Sequence, residues 1–99
     1  MVWIDFDPQV GREQAGHRPA VVLSAGVYNR VSGLALCCPT TTRVKGYPFE
    51  VALSGEPRSV ALADHVKSQD WRARGARLKG RVSAAELQTI RAKARALIG

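Results

Sequence analysis

The sequence predicts a mainly β fold, a small antiparallel β-barrel with one C-terminal α-helix. Along residues 1–82, short apolar runs rich in β-branched residues alternate with Gly and Pro, which is typical of short strands joined by turns. Residues 83–99 instead repeat apolar side chains at helical spacing. The length of 99 residues is that of one domain, so residues 1–99 are predicted to form a single unit.

The first two thirds of the chain predict five strands. The first, at residues 2–7, mixes aromatic and branched apolar residues with aspartates and ends at Pro8. Residues 8–19 are predicted to be a long polar loop, because they contain two glycines and are closed by a proline. Later strands are predicted at residues 20–25, 34–39, 47–53 and 60–66, with turns at residues 26–33, 40–46 and 54–59.

A sixth strand is predicted just before the helix, where charged and apolar residues alternate. The period of two places the apolar residues, Leu78 and Val82, on one strand face and the basic residues on the other. These basic residues are Arg77, Lys79 and Arg81.

The C-terminal helix has a local start signal. Ser83 and, three residues later, Glu86 form a capping box, and an apolar stripe follows. The stripe is formed by Leu87, Ile90, Ala94 and Leu97. The basic residues of the later turns suit the negative end of the helix dipole; they are Arg91, Lys93 and Arg95.

The net charge of +7 is unevenly distributed. Residues 1–66 carry six basic and six acidic side chains, whereas residues 67–99 carry nine basic and two acidic ones. A domain with a pI of about 10.3 and clustered positive charge is typical of proteins that bind polyanions. The alternative is a surface of solvated lysines and arginines without a partner.

Metal binding and export are not indicated. Cys37 and Cys38 point to opposite faces of one strand, so they are predicted to be small buried residues rather than metal ligands. His17 and His65 are isolated. Because the N-terminus lacks a signal-peptide pattern and the chain lacks a membrane-spanning apolar run, we expect a cytoplasmic protein without a membrane partner.

One loop and one strand end carry candidate chemistry. Glu13, His17 and Arg18 share the glycine-containing loop and could serve as base, acid and oxyanion clamp. The alternative is an ion pair between Glu13 and Arg18 that only holds the loop. The hydroxyls of residues 40–42 could bind phosphate or simply cap a turn.

An aromatic residue with basic neighbours stands near the C-terminus. Trp71 is followed by Arg72 and Arg74, a combination that binders of single-stranded nucleic acid use for stacking. It could equally pack in the core or in a dimer interface.

Five stretches of the chain together carry a family resemblance. Residues 3–24 (WIDFDPQVGREQAGHRPAVVLS) resemble the opening motif of the MazF/PemK family of toxin–antitoxin endoribonucleases. The similarity continues, in order, through residues 38–51 (CPTTTRVKGYPFEV), 60–76 (VALADHVKSQDWRARGA), 79–83 (KGRVS) and the final helix. It covers nearly the whole chain.

The resemblance implies a fold, an activity and partners. It implies an SH3-like β-barrel with a C-terminal helix that forms a homodimer. It implies cleavage of single-stranded RNA at short sequences without metal or other cofactor, by attack of the RNA's own 2′-hydroxyl, leaving a 2′,3′-cyclic phosphate and a 5′-hydroxyl. A cognate acidic, MazE-like antitoxin would silence the toxin by occupying its RNA groove.

The resemblance also assigns site residues. It implies that Arg18 and Thr41 are catalytic and that Glu13 is important. On chemical grounds we expect Arg18 to be a phosphate clamp, Glu13 the base and Thr41 a hydroxyl donor. His17 is either the general acid or an inward-facing support. The predicted RNA-binding residues are Thr42, Arg43, Lys45, Arg77, Lys79 and Arg81.

Two other functions fit the same fold. Barrels of this type also occur in toxins that poison DNA gyrase, and in RNA-binding modules without catalytic activity. The presence of Glu13, Arg18 and Thr41 favours the nuclease over both.

Overall fold

The computed structural model describes residues 2–6, 16–55 and 58–99, and for residues 2–6 and 16–18 it describes the backbone alone. These residues form seven strands and two helices. In chain order they are β1 (Val2–Phe6), β2 (Gly16–Val22), α1 (Gly26–Ser32), β3 (Leu34–Thr41), β4 (Glu50–Leu53), β5 (Ser59–Leu62), β6 (Lys67–Asp70), β7 (Arg77–Leu78) and α2 (Ala84–Ile98).

All strand pairs are antiparallel, and β3 is the central strand. The strands follow the order β4-β5-β3-β2-β1-β7, and β6 also pairs with β3. One edge of β3 pairs with β6 along residues 34–37 and with β5 at residues 40–41, while the other edge pairs with β2. In the described part of the chain β4 and β7 do not pair with each other, so the predicted barrel is not closed.

The core lies on both faces of β3. Cys38 belongs to the larger cluster, with Ile90 of helix α2, Val51 and Leu53 of β4, and Ala61 of β5. Cys37 belongs to the smaller cluster on the opposite face, with Ala20 and Ala35. The prediction that the two cysteines are buried on opposite faces is therefore confirmed, and both are free thiols.

Helix α2 confirms the predicted capping box. The Ser83 hydroxyl accepts the Glu86 N–H, and the Glu86 carboxylate accepts the Ser83 N–H. Ile90 and Ala94 are buried, and Ile90 belongs to the larger cluster. The predicted apolar stripe ends early, because Leu97 is 49% exposed near the end of the helix.

Several element predictions were wrong. Residues 26–33 form helix α1 and its left-handed C-cap rather than a turn, and β6 was not predicted. Strand β2 begins at Gly16, inside the predicted loop, whose residues 8–15 lie outside the described residues. Strand β3 continues through Thr41, and β7 is only two residues long.

No helix among the described residues is long and apolar enough to cross a membrane.

Candidate functional site

The neighbouring strands β2 and β3 place the backbones of two predicted catalytic residues near each other. The buried Thr40 donates its hydroxyl to the carbonyl oxygen of Pro19 at 3.0 Å. Arg18 immediately precedes Pro19, and Thr41 immediately follows Thr40. The backbones at Arg18 and Thr41 are therefore each one residue away from this contact between neighbouring strands, although the two are 23 positions apart in sequence (41 minus 18).

Thr41 is held firmly by the backbone on its own side. It ends β3 and pairs with Val60 of β5. Its half-buried hydroxyl oxygen accepts the N–H of Arg43 at 3.1 Å, which stabilises the turn after the strand. Because this bond uses a lone pair of the oxygen, the hydroxyl proton can still be donated to a phosphate oxygen.

Residues 42–49, here named the β3–β4 loop, carry three of the predicted RNA-binding residues. Thr42, Arg43 and Lys45 are all exposed. Both carboxylate oxygens of Glu50, the first residue of β4, accept the N–H of Lys45, at 3.2 and 3.1 Å. One of them also accepts the N–H of Gly46, at 2.8 Å.

Helix α2 contacts the end of this loop through Lys93. The ammonium group of Lys93 donates to the carbonyl oxygen of Pro48 and, at 3.3 Å, to that of Glu50. The N–H of Ala63 also donates to the carbonyl oxygen of Phe49, at 3.0 Å. Three separate contacts thus fix the end of the β3–β4 loop at the start of β4.

An aromatic side chain in this loop was missed by the sequence reasoning. Tyr47 is 61% exposed, and the Lys45 ammonium lies 5.9 Å from the centroid of its ring. An exposed aromatic ring among basic residues is suited to stacking on an unpaired base. The signal was present in the spacing of Arg43, Lys45 and Tyr47, but the tyrosine was assigned to a predicted strand.

The basic residues near β7 lie apart from the loop. Arg77 pairs with Trp3 of β1, and Trp3 also pairs with Pro19 of β2. Arg77 is therefore two strands from β2, or about 10 Å across the sheet.

The exposure pattern around β7 corrects one prediction. Arg77, Lys79 and Arg81 are exposed, but Leu78 is 72% exposed as well. Because β7 ends at Leu78, the predicted two-faced strand over 77–82 is wrong.

The N-terminal candidates are described only in part. Glu13 lies outside the described residues. His17 and Arg18 are in β2, where their backbones pair with Asp5 and Ile4 of β1. The structure thus places the chain positions of His17 and Arg18, and not their side chains.

The two cysteines are unsuited to nucleophilic chemistry. Burial raises the pKa of the Cys37 thiol to about 11, and burial together with the neighbouring Cys37 raises that of Cys38 to about 12. Both thiols are therefore protonated at neutral pH. Among the described residues, no three His, Cys, Asp or Glu side chains are grouped as metal ligands.

Trp71 has a packing role. Its ring is half-buried against the smaller core cluster, and its indole N–H donates to the carbonyl oxygen of Asn29 at 2.9 Å. The guanidinium of Arg72 lies 4.9 Å from the ring centroid and donates to the carbonyl oxygen of Arg30. These contacts support a packing role for Trp71 rather than stacking on nucleic acid, because they connect helix α1 to the turn after β6.

Comparison with known proteins places the whole chain in one group. The chain is 63% identical to the endoribonuclease toxin MazF of Escherichia coli K12, over all of this chain and 90% of that protein. The crystal structure of MazF from Deinococcus radiodurans superposes with a TM-score of 0.89 at 49% identity, covering 99% of this chain and 91% of that one.

A second crystal structure extends the comparison to a complex. A MazE–MazF structure from the same organism also matches with a TM-score of 0.89 at 49% identity, over 99% of this chain and 90% of that chain. The family model that describes PemK-like, MazF-like toxins of type II toxin–antitoxin systems matches residues 1–98 of this chain. The chain therefore belongs to the PemK-like, MazF-like toxin family of type II toxin–antitoxin systems.

Proposed function

We propose that this chain is the toxin of a type II toxin–antitoxin pair and that it acts as an endoribonuclease. The observation that carries this proposal is the 63% identity, over the full chain, to a toxin named as an endoribonuclease. The MazE–MazF structure supports an antitoxin partner of the same kind. We further propose a homodimer that works in the cytoplasm, where mRNA is available as substrate.

The proposed reaction uses the 2′-hydroxyl of the RNA as nucleophile. Attack on the adjacent phosphate is intramolecular and therefore has a large proximity advantage. It breaks the bond from phosphorus to the 5′-oxygen, and it leaves a 2′,3′-cyclic phosphate on one fragment and a 5′-hydroxyl on the other. The protein must supply a base, a proton for the leaving oxygen, and stabilisation of the charge on phosphorus.

Arg18 and Thr41 are proposed to stabilise that charge. The planar guanidinium of an arginine matches two phosphate oxygens, and a threonine hydroxyl can donate to a third. This proposal is supported by the position of both residues next to the Thr40–Pro19 hydrogen bond, which joins β2 and β3. Glu13 is proposed as the base, and His17 as the general acid or as a support for the strand.

The proposed RNA path begins at Thr41 and follows the β3–β4 loop. Thr42, Arg43 and Lys45 would contact the backbone, and Tyr47 would stack on a base. Arg77, Lys79 and Arg81 extend the positive charge beyond β1. An acidic antitoxin segment would compete with RNA for these cations.

A cleavage assay with defined products tests the proposal. We expect bulk single-stranded RNA to be cut in the presence of EDTA, with cyclic phosphate and 5′-hydroxyl ends detected by mass spectrometry. A single 2′-deoxy substitution on the 5′ side of the mapped scissile bond should stop cleavage while leaving binding largely intact. Cleavage of the substituted strand at an ordinary rate would rule out the 2′-hydroxyl mechanism. Intact RNA together with inhibited DNA supercoiling would support a gyrase poison instead.

A further inference from the structure

An acidic side chain lies against the proposed RNA-binding loop, at the first residue of β4. A free carboxylate beside Arg43 and Lys45 would repel the phosphates of RNA. Glu50 instead directs both oxygens onto the backbone N–H groups of Lys45 and Gly46. Hydrogen bonds to a charged acceptor are about twice as strong as neutral ones, so the carboxylate is a strong clamp on this part of the loop.

The backbone at Gly46 is shaped for this clamp. Its φ of +79° lies in the left-handed region, which glycine adopts without steric cost. Such a conformation turns successive N–H groups towards one point and creates a small anion-binding concavity. In this chain the concavity is filled by the chain's own Glu50.

Lys93 holds the neighbouring part of the chain through its carbonyl oxygens. Its ammonium group donates to the carbonyl oxygens of Pro48 and Glu50. Lys93 is therefore a cation that holds the loop through its backbone. Glu50 and Lys93 carry opposite charges, and both hold the backbone between residues 45 and 50 in place.

We propose that Glu50, with Lys93 behind it, is a positioning residue for RNA binding. The pair holds the β3–β4 loop so that Arg43, Lys45 and Tyr47 are presented together, while Glu50 itself does not contact RNA. The inference rests on the proposed endoribonuclease function and identifies what organises its RNA-binding loop.

For removal of the Glu50 carboxylate, a purely electrostatic role and a positioning role predict opposite changes in RNA affinity. Removing its negative charge makes the loop more positive, so electrostatics alone predicts tighter RNA binding. Losing the clamp predicts weaker binding. For Lys93→Met, electrostatics and position both predict weaker binding. The sign of the Glu50→Ala effect therefore separates the two explanations.

The effect should fall on KM rather than on kcat. Thr41 is held in β3 by its pairing with β5, and the Glu50 clamp acts further along the chain, at Lys45 and Gly46. A displaced loop loses RNA contacts while the proposed catalytic pair stays in place. A general loss of stability would instead reduce the amount of active enzyme and leave KM unchanged.

The test compares Glu50→Ala, Glu50→Gln and Lys93→Met with the matched control Glu86→Ala. Glu86 also accepts two backbone N–H groups, at the start of helix α2, so its loss causes the same change in charge away from the loop. KM and kcat are measured on an RNA oligonucleotide spanning a mapped cleavage site, with thermal unfolding followed by circular dichroism. We expect KM to rise about 10- to 100-fold in Glu50→Ala, the effect that a misplaced binding group can cause.

The other variants sharpen the result. Glu50→Gln keeps the chain length and an acceptor oxygen, so its KM should lie between those of the native chain and Glu50→Ala. Lys93→Met should raise KM, and Glu86→Ala should leave it unchanged or slightly lower.

A lower KM in Glu50→Ala, or equal changes in Glu50→Ala and Glu86→Ala, would overturn the proposal. If Glu50→Ala does not fold, an unchanged KM in folded Glu50→Gln would overturn it as well. A native chain that binds the oligonucleotide without cutting it would contradict the endoribonuclease function alone, and dissociation constants would then replace KM. A native chain that neither binds nor cuts RNA would contradict both.

Discussion

The β3–β4 loop and helix α2 both carry basic side chains, but the two regions use them differently. In the loop, Arg43 and Lys45 are exposed. In the helix, Arg91 donates two hydrogen bonds, 2.9 and 2.7 Å long, to the carbonyl oxygen of Leu23, the residue after β2. Lys93 likewise donates to backbone carbonyls at the start of β4.

The difference shows that the net charge overestimates how many basic residues are available to bind RNA. Residues 67–99 carry nine basic residues. At least three of these hold backbone carbonyl oxygens, namely Arg72, Arg91 and Lys93. Such cations stabilise the fold and are less available to phosphates, so an RNA contact cannot be assigned from charge alone.

The largest expected effect concerns the proposed catalytic pair, which neither set of cations can replace. Arg18→Ala and Thr41→Ala should each lower the single-turnover cleavage rate by about 10²–10³, the usual cost of one lost charge-stabilising contact. Thr89→Ala, which removes an exposed hydroxyl on helix α2, is the control and should cleave normally. Near-native rates for Arg18→Ala with an intact circular dichroism spectrum would refute the assignment.

Arg91→Ala tests the structural side of the comparison. It should lower the free energy of unfolding by about 1.5–3 kcal/mol, because the Leu23 carbonyl loses a charged donor. Arg95→Ala, an exposed neighbour on the same helix, should change it by less than about 0.5 kcal/mol. Urea denaturation measures both values. Weaker RNA binding by Arg91→Ala at unchanged stability would reverse the interpretation.

The salt dependence of RNA binding tests whether the cations of the β3–β4 loop contact RNA. Each phosphate contact to single-stranded RNA contributes about 0.7 to the slope of log affinity against log salt concentration. The double variant Arg43→Ala/Lys45→Ala should therefore flatten that slope by about 1.4, whereas Arg91→Ala should not change it. Equal slopes for the double variant and the native chain would show that the loop cations do not contact RNA.

The smallest expected effect is a pH dependence at the helix start. Backbone hydrogen bonds from Ser83 and Ser54 lower the pKa of Glu86 below its ordinary value of 4.5. Its stabilising contribution is therefore complete above that value and is lost as the pH falls through the lowered pKa. Glu86→Gln should cost about 0.3–1 kcal/mol at pH 7, the usual contribution of a negative charge in the first turn of a helix.

Urea denaturation at neutral and acidic pH checks this prediction. The difference between Glu86→Gln and the native chain should shrink as the pH falls from about 4.5, where the carboxyl of the unfolded chain takes up protons, through the lower pKa of the native carboxylate. A difference that stays constant with pH would mean that the charge of Glu86 does not contribute.

Helix α2 and the buried cysteines were predictable because local rules decide them. A capping box joins residues three apart, so Ser83 and Glu86 specify the helix start without help from the rest of the chain. Side chains alternate along a strand, so consecutive cysteines in an apolar strand necessarily point to opposite faces. The family motifs likewise identified the proposed site residues from their order in the chain.

Helix α1 and strand β6 were decided by tertiary structure. Helix α1 has no buried residues, and its last turn is held by hydrogen bonds from Trp71 and Arg72, over 40 residues away. All four residues of strand β6 are polar, although Gln69 is buried, and pairing with β3 makes the segment a strand. Neither signal exists in a short window of sequence.

The sequence by itself determined the family, the capped C-terminal helix and the identity of the proposed catalytic residues, since these depend on local spacing and motif order. Only the tertiary structure decided which cations hold carbonyl oxygens, and that Glu50 clamps the β3–β4 loop. The physical reason is that a hydrogen bond such as that from Arg91 to Leu23 joins residues far apart in the chain. Only the folded backbone brings that donor and acceptor within reach of each other.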